Sequence, residues 1–139
     1  LSRHIIQTMP YAQAADRLPA PGIVDDDAEA FWIAVRGNLE TVAEAADWWR
    51  IVKQDPARDA VLSGEDRSFV QQAARYLPQE PWDAETWRTW TSAVKAETGR
   101  KGRNLFMPLR VALTGREQGP ELAGLLPLLG REETLARLS

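Results

Sequence analysis

Apolar residues recur along this chain at intervals of three and four, not two. Ala28, Phe31, Trp32, Val35 and Leu39 stand at i, i+3, i+4, i+7 and i+11, which lines one face of a helix and scatters over both faces of a strand. Alternating runs of Val, Ile and Thr are missing, so an all-α fold is expected. A first helix over 3–9 is stopped by Pro10. A second, over 11–18, places Tyr11, Ala14, Ala15 and Leu18 on one face before Pro19-Ala20-Pro21-Gly22 breaks it. Asp25-Asp26-Asp27 supplies the cap and first-turn acids of the helix that carries Phe31 and Trp32.

Gly37-Asn38 interrupts that helix, and 36–40 reads as an exposed corner. Thr41 and Glu44 have capping-box spacing and should start the next helix, with Val42, Ala46 and Trp49 inward. Ser63 and Asp66 cap a helix that packs Phe69, Val70, Ala73, Ala74 and Leu77. The link from Pro78 to Pro81 marks a boundary between subdomains 1–80 and 81–139. Beyond it, Asp83 caps a helix with Trp82 as a hydrophobic staple and Trp87, Trp90 and Val94 as the inner stripe, ended by Thr98-Gly99. Pro108 suits a first helical turn and Gly115 an end, so Leu109, Ala112 and Leu113 should be buried while Arg110 points elsewhere. Two short helices, 120–129 and 131–138, would bury Leu122, Leu125, Leu126, Leu129, Leu135 and Leu138, the first shortened or bent by Pro127.

Composition narrows the chemistry. The 139 residues fit one domain or two tightly joined subdomains, and 44% hydrophobic with 27% charged residues is ordinary for a soluble globular protein. There is no cysteine and a single histidine, His4, which excludes disulfide scaffolds, thiolate nucleophiles and multi-histidine metal sites. No apolar run approaches the roughly 20 residues of a membrane span, and no signal-like segment opens the chain; a cytoplasmic, monomeric protein away from membranes is expected. The chain opens inside a helical pattern, as a piece of a longer protein would.

Charge is unevenly spread. The net charge is −3, yet between 95 and 116 lie Lys95, Arg100, Lys101, Arg103, Arg110 and Arg116 against one acid, Glu97. An anionic partner senses such an island more than the total, because fields decay over about 8 Å at physiological salt. A solvated basic face answering acids elsewhere in the fold is the equal alternative.

Catalytic groups are scarce. Ser2 and His4 on one short helix do not make a nucleophile and base. The three consecutive aspartates lack calcium-loop spacing, and Gly99-Arg100-Lys101-Gly102 lacks that of a nucleotide-binding loop. These absences speak against a free-standing hydrolase. The six tryptophans are potential stacking platforms for bases, but their helical spacing puts five of the six in the core.

The segment 99–138, GRKGRNLFMPLRVALTGREQGPELAGLLPLLGREETLARL, combines basic residues, an arginine one turn into a short helix, and a Gly119-Pro120 turn that brings Leu122 near. An arginine fork can hydrogen-bond a base edge or stack on its face, and an exposed Pro and Leu can pack an unstacked base. A helical protein-interaction module with a basic face is the alternative.

This segment resembles the C-terminal signature of bacterial glutamyl-tRNA synthetases: a Met-Pro-Leu-Arg-x-Ala-hydrophobic-Thr-Gly helix (107–115 here), a Gly/Ser-Pro-x-Leu turn (119–122) and a Leu-Gly-Lys/Arg-Glu tail ending in Arg-Leu (129–138). Thr41-Val42-Ala43-Glu44 is similar to the family's Thr-Leu-x-Glu/Asp helix start. The resemblance implies the two-subdomain, all-helical anticodon-binding cage of a class I aminoacyl-tRNA synthetase. It implies a full-length enzyme that attaches glutamate to tRNA using ATP with magnesium, and a segment without cofactor or ligase activity of its own, because the catalytic domain lies upstream. It further implies that Arg110 contacts the first two anticodon bases and that Pro120 and Leu122 pack on the first. Lys101, Arg103 and Arg116 are assigned to backbone phosphates by charge and position.

One departure bears on specificity. Family members restricted to glutamate tRNA carry an arginine just before the Thr-Leu-x-Glu helix that reads the third anticodon base; ungapped counting puts Asn38 there, with Arg36 two residues away as a substitute. Either the chain is relaxed toward glutamine tRNA, with about 1 to 3 kcal/mol of discrimination lost, or Asn38 only ends a helix at the corner.

Overall fold

A computed structural model describes residues 2–14 and 27–139. Within them the chain forms α1 (Arg3–Thr8), α2 (Tyr11–Ala14), α3 (Ala28–Val35), α4 (Glu44–Lys53), α5 (Gly64–Ala73), α6 (Thr86–Thr98), α7 (Arg103–Thr114) and α8 (Leu122–Leu138), with short 3-10 turns at Arg36–Asn38 and Ala74–Tyr76. The fold is all-α as expected, with no strand among the described residues.

Most elements follow from local chemistry. The Ser2 hydroxyl accepts from the Ile5 amide and caps α1, and the Ser63 hydroxyl accepts from the Asp66 amide at 3.1 Å and caps α5. The buried face of α3 is Ala28, Phe31, Trp32 and Val35, continued by Leu39. Asp27 precedes α3 without a side-chain cap and instead pairs with Lys53 of α4. Asp25, Asp26 and the second half of the expected 11–18 helix lie outside the described residues. Asp83 does not cap α6 as expected: its carboxylate accepts from the Glu85 amide at 2.8 Å in the turn before the helix, which begins at Thr86 and which Gly99 closes.

Two further expectations are corrected. Helix α4 begins at Glu44, not at Thr41: residues 41–43 form turns, and the Glu44 carboxylate accepts from the Thr41 and Glu40 amides at 3.0 and 3.2 Å. Only that half of the capping box forms, so the buried stripe is Ala45, Trp48, Trp49, Ile51 and Val52, and Val42 and Ala46 are half-buried. Helix α7 begins at Arg103, five residues before Pro108. A proline inside a helix leaves the carbonyl four residues earlier without its amide donor; the Arg100 guanidinium donates to that carbonyl, of Asn104, at 3.1 Å. The helix therefore runs through Pro108, and residues 103–107, which the sequence reading leaves ahead of the helix, belong to it.

One apolar cluster holds the elements together, with Trp32, Trp90, Leu109, Leu113 and Leu126 fully buried in it. Trp48 and Trp49 are also buried, whereas Trp82 and Trp87 are half-buried. The cluster draws on both halves of the chain. Helix α8, broken at Gly130 into the two helices expected, packs on α3, α4, α5, α6 and α7. Its Arg137 side chain, 3% exposed, pairs with Glu133 and donates to the Leu113 and Val52 carbonyls, satisfying groups near the C-terminal ends of α7 and α4.

Candidate nucleic-acid interface

The site is built at the end of α7. Thr114 and Gly115 close that helix against the segment 57–60: the Ala57 amide donates to the Thr114 carbonyl at 2.8 Å and the Ala60 amide to the Gly115 carbonyl at 2.9 Å. Gly115 has φ +76°, and a Cβ there would lie 1.5 Å from the Ala57 carbonyl oxygen. The chain then turns at Gly119, where a Cβ would lie 2.3 Å from the Trp48 ring and 3.2 Å from the Arg110 guanidinium. Only glycine fits both places.

That close turn brings Pro120 back to α7. The Arg110 guanidinium donates to the Pro120 carbonyl at 3.0 Å, which fixes one of its nitrogens, and Arg110 lines a surface pocket. The pocket, about 260 Å³, is lined by Trp87, Phe106, Arg110, Glu121 and Leu122. Partial burial lowers the Arg110 pKa from its ordinary value, and the Glu121 carboxylate acts in the opposite direction; the guanidinium stays charged. Trp87 stands edge-on to the fully buried Trp90 at 5.6 Å, and the Phe106 ring lies 6.2 Å from Trp87, tilted by 37°.

Arg110, Pro120 and Leu122 are thus brought together, with Leu122 in the pocket wall. Pro120 is nevertheless buried, not exposed as expected, because the turn folds onto α7; Leu122, expected in the core of the last helices and also as a surface for a base, lies in the core. Sequence reasoning missed Phe106, Trp87 and Glu121. Phe106 had a readable signal, one helical turn before Arg110 on the same face.

The basic island divides. Lys101 is exposed with no carboxylate partner among the described residues, and Arg103 is exposed with Glu117 at 3.5 Å. Arg116 instead pairs with Asp59 at 2.9 Å over the Trp48 ring. Arg100, which lies over the Phe69 ring, pairs with Asp66 at 2.8 Å. Half of the alternative therefore holds: some of these cations serve the fold.

Arg36 and Asn38 lie together in the 3-10 turn after α3 and do not line this pocket. The Arg36 guanidinium donates to the Met9 carbonyl at 2.9 Å, which also accepts from the Trp32 indole at 2.7 Å, while Asn38 is exposed. No cluster of His, Cys, Asp or Glu able to hold a metal occurs among the described residues, and no described helix is long and apolar enough to cross a membrane.

Comparison with known proteins agrees with this architecture. The family model of the anticodon binding domain matches residues 7–139. Over 137 residues, 99% of the chain, it is 60% identical to glutamate–tRNA ligase 1 of Chelativorans sp. (strain BNC1) and 54% identical to glutamate–tRNA ligase 1 of Brucella canis. The chain spans about 30% of the length of these relatives. A crystal structure of glutamate–tRNA synthetase from Elizabethkingia anophelis shares the fold with a TM-score of 0.73 at 17% identity, over 98% of this chain and 29% of that one. The helices, the closed turn at 119–120 and the match over nearly the whole chain lead to one assignment: the chain belongs to the anticodon-binding domain family, and it corresponds to that portion of glutamate–tRNA ligases.

Proposed function

We propose that this chain holds the anticodon loop of a tRNA for a glutamate–tRNA ligase, with the Arg110 fork reading base edges beside Pro120 and Leu122. The observation that carries the reading is the Arg110–Pro120 hydrogen bond, which holds a charged, partly buried guanidinium in the wall of a surface pocket. A fixed fork of this kind recognises planar acceptor pairs on a base edge better than a mobile lysine does. Lys101 and Arg103 are the phosphate contacts this reading favours. Arg116, paired with Asp59, is the weakest of the three.

The whole enzyme would attach glutamate to tRNA in the cytoplasm, with ATP and magnesium bound by a catalytic domain outside these residues, and would act as a monomer. The division at 80/81 is taken as a subdivision of one shared core. The exposure of Asn38 and the engagement of Arg36 with Met9 support a relaxed reading of the third anticodon base, so that glutamine tRNA is also accepted.

Binding of anticodon stem-loop RNAs that differ at each anticodon base tests the central reading. Preference among them that falls on Arg110→Ala is expected. Equal binding of all variants by the unaltered chain would instead mark a helical interaction module whose basic face meets an acidic partner.

A further inference from the structure

Among the described residues four large apolar side chains are exposed, Ile5, Ile33, Val61 and Phe106, and only Phe106 is aromatic, at 43% exposure. An exposed ring of that size loses apolar burial that the fold could have used. Its surroundings are organised. The neighbouring ring, Trp87, is braced edge-on against Trp90, whose indole N–H donates to the buried Ala73 carbonyl at 2.9 Å. Arg103 stands three residues before Phe106 and Arg110 four residues after it, so a cation, a ring and a cation share one stripe of α7.

We propose that Phe106 and Trp87 form a stacking shelf for one unpaired nucleobase, held in the pocket between them, Leu122 and the Arg110 guanidinium. This rests on the anticodon reading above and adds the subsite that takes the face of a base, not its edge. Charge favours a base over a phosphate there, because Glu121 beside Arg110 offsets the positive charge a phosphate would need and supplies an acceptor next to the donor fork. Phosphates are left to the exposed Arg103 one turn away. Stacking accepts any base, since every base has a π-face. The shelf therefore adds affinity without sequence preference, while Arg110 adds preference.

The test uses the whole chain, anticodon stem-loop RNAs varied at each anticodon base, and two substitutions at an exposed position: Phe106→Leu, which keeps the apolar volume and removes the ring, and Phe106→Tyr, which keeps the ring. Phe106→Leu should weaken every stem-loop by one common factor within about 5- to 150-fold, the range of base–aromatic stacking, and Phe106→Tyr should bind like the parent. Parental binding by Phe106→Leu, equal weakening by both variants, or a loss falling on some bases only would each overturn the shelf while leaving the anticodon reading standing. A parent chain that binds none of the stem-loops, or all of them alike, would remove that reading and the shelf with it.

Discussion

The guanidinium of Arg110 donates to the carbonyl oxygen of Pro120, ten residues further along the chain, at 3.0 Å. The bond ties the turn after α7 to the helix itself, beside the surface pocket that Arg110 lines. Arg110→Lys would keep the charge and lose the planar fork. Binding titrations should show Arg110→Ala costing about 1 to 3 kcal/mol on the preferred RNA, with most of the preference between anticodon bases gone. Arg110→Lys should recover affinity without recovering preference.

Lys101 and Arg103 should behave differently. Each substitution to Ala is expected to weaken all RNAs alike and to lower the log–log salt slope by about 0.7, the increment for one phosphate on a single strand. Affinities measured between low and moderate salt give the slope directly. An unchanged slope for both variants would remove them from the phosphate path.

Arg100 belongs to the same basic island and should not belong to the same function. Its guanidinium pairs with Asp66, donates to the Asn104 carbonyl freed by Pro108 and lies 4.2 Å from the Phe69 ring centre. Arg100→Ala should lower folding stability by about 1 to 3 kcal/mol in urea denaturation and leave the salt slope of RNA binding where it was.

Gly115→Ala tests the closure that positions the site. The positive φ alone costs an L-residue roughly 1 to 2 kcal/mol, and the added methyl meets the Ala57 carbonyl. A lowered urea midpoint with weaker RNA binding is expected, because the turn that carries Gly119 and Pro120 follows directly.

In the 3-10 turn after α3, Asn38→Arg should restore selection at the third anticodon base. Stem-loops with C or G at that base, bound by the parent and by Asn38→Arg, give the comparison. The parent should bind the two within a few-fold, and the variant should favour C, in keeping with the 1 to 3 kcal/mol of a bidentate arginine contact. Strict rejection of glutamine tRNA by the full-length enzyme in a charging assay would end the relaxed reading.

Much of this was legible along the chain. Helix periodicity, the Ser63 cap, the corner at 36–38, the break near 130 and the stripe of Leu109, Ala112 and Leu113 depend on residues within one or two turns of each other, and such signals survive in a single sequence. Pro108 shows the limit. It reads as a helix start because that is where proline costs least, yet α7 runs through it because Arg100 satisfies the carbonyl that the proline leaves bare. The phase of α4 was misread for a related reason: the Glu44 carboxylate takes the Thr41 amide, so that residues 41–43 turn before the helix begins.

The residues and their spacing along the chain settled the all-helical class, most of the core and the presence of Arg110 beside a Gly-Pro turn. Whether a given arginine serves the fold or faces solvent was decided only in three dimensions, by where carboxylates and carbonyls from remote segments come to lie: Arg100 against Asp66, Arg116 against Asp59, Arg137 against Leu113 and Val52. The pocket is of the same kind. Trp87, Phe106 and Leu122 come from three helices, and it is the packing of those helices on a common core, a sum of many weak contacts between distant residues, that brings them to one opening.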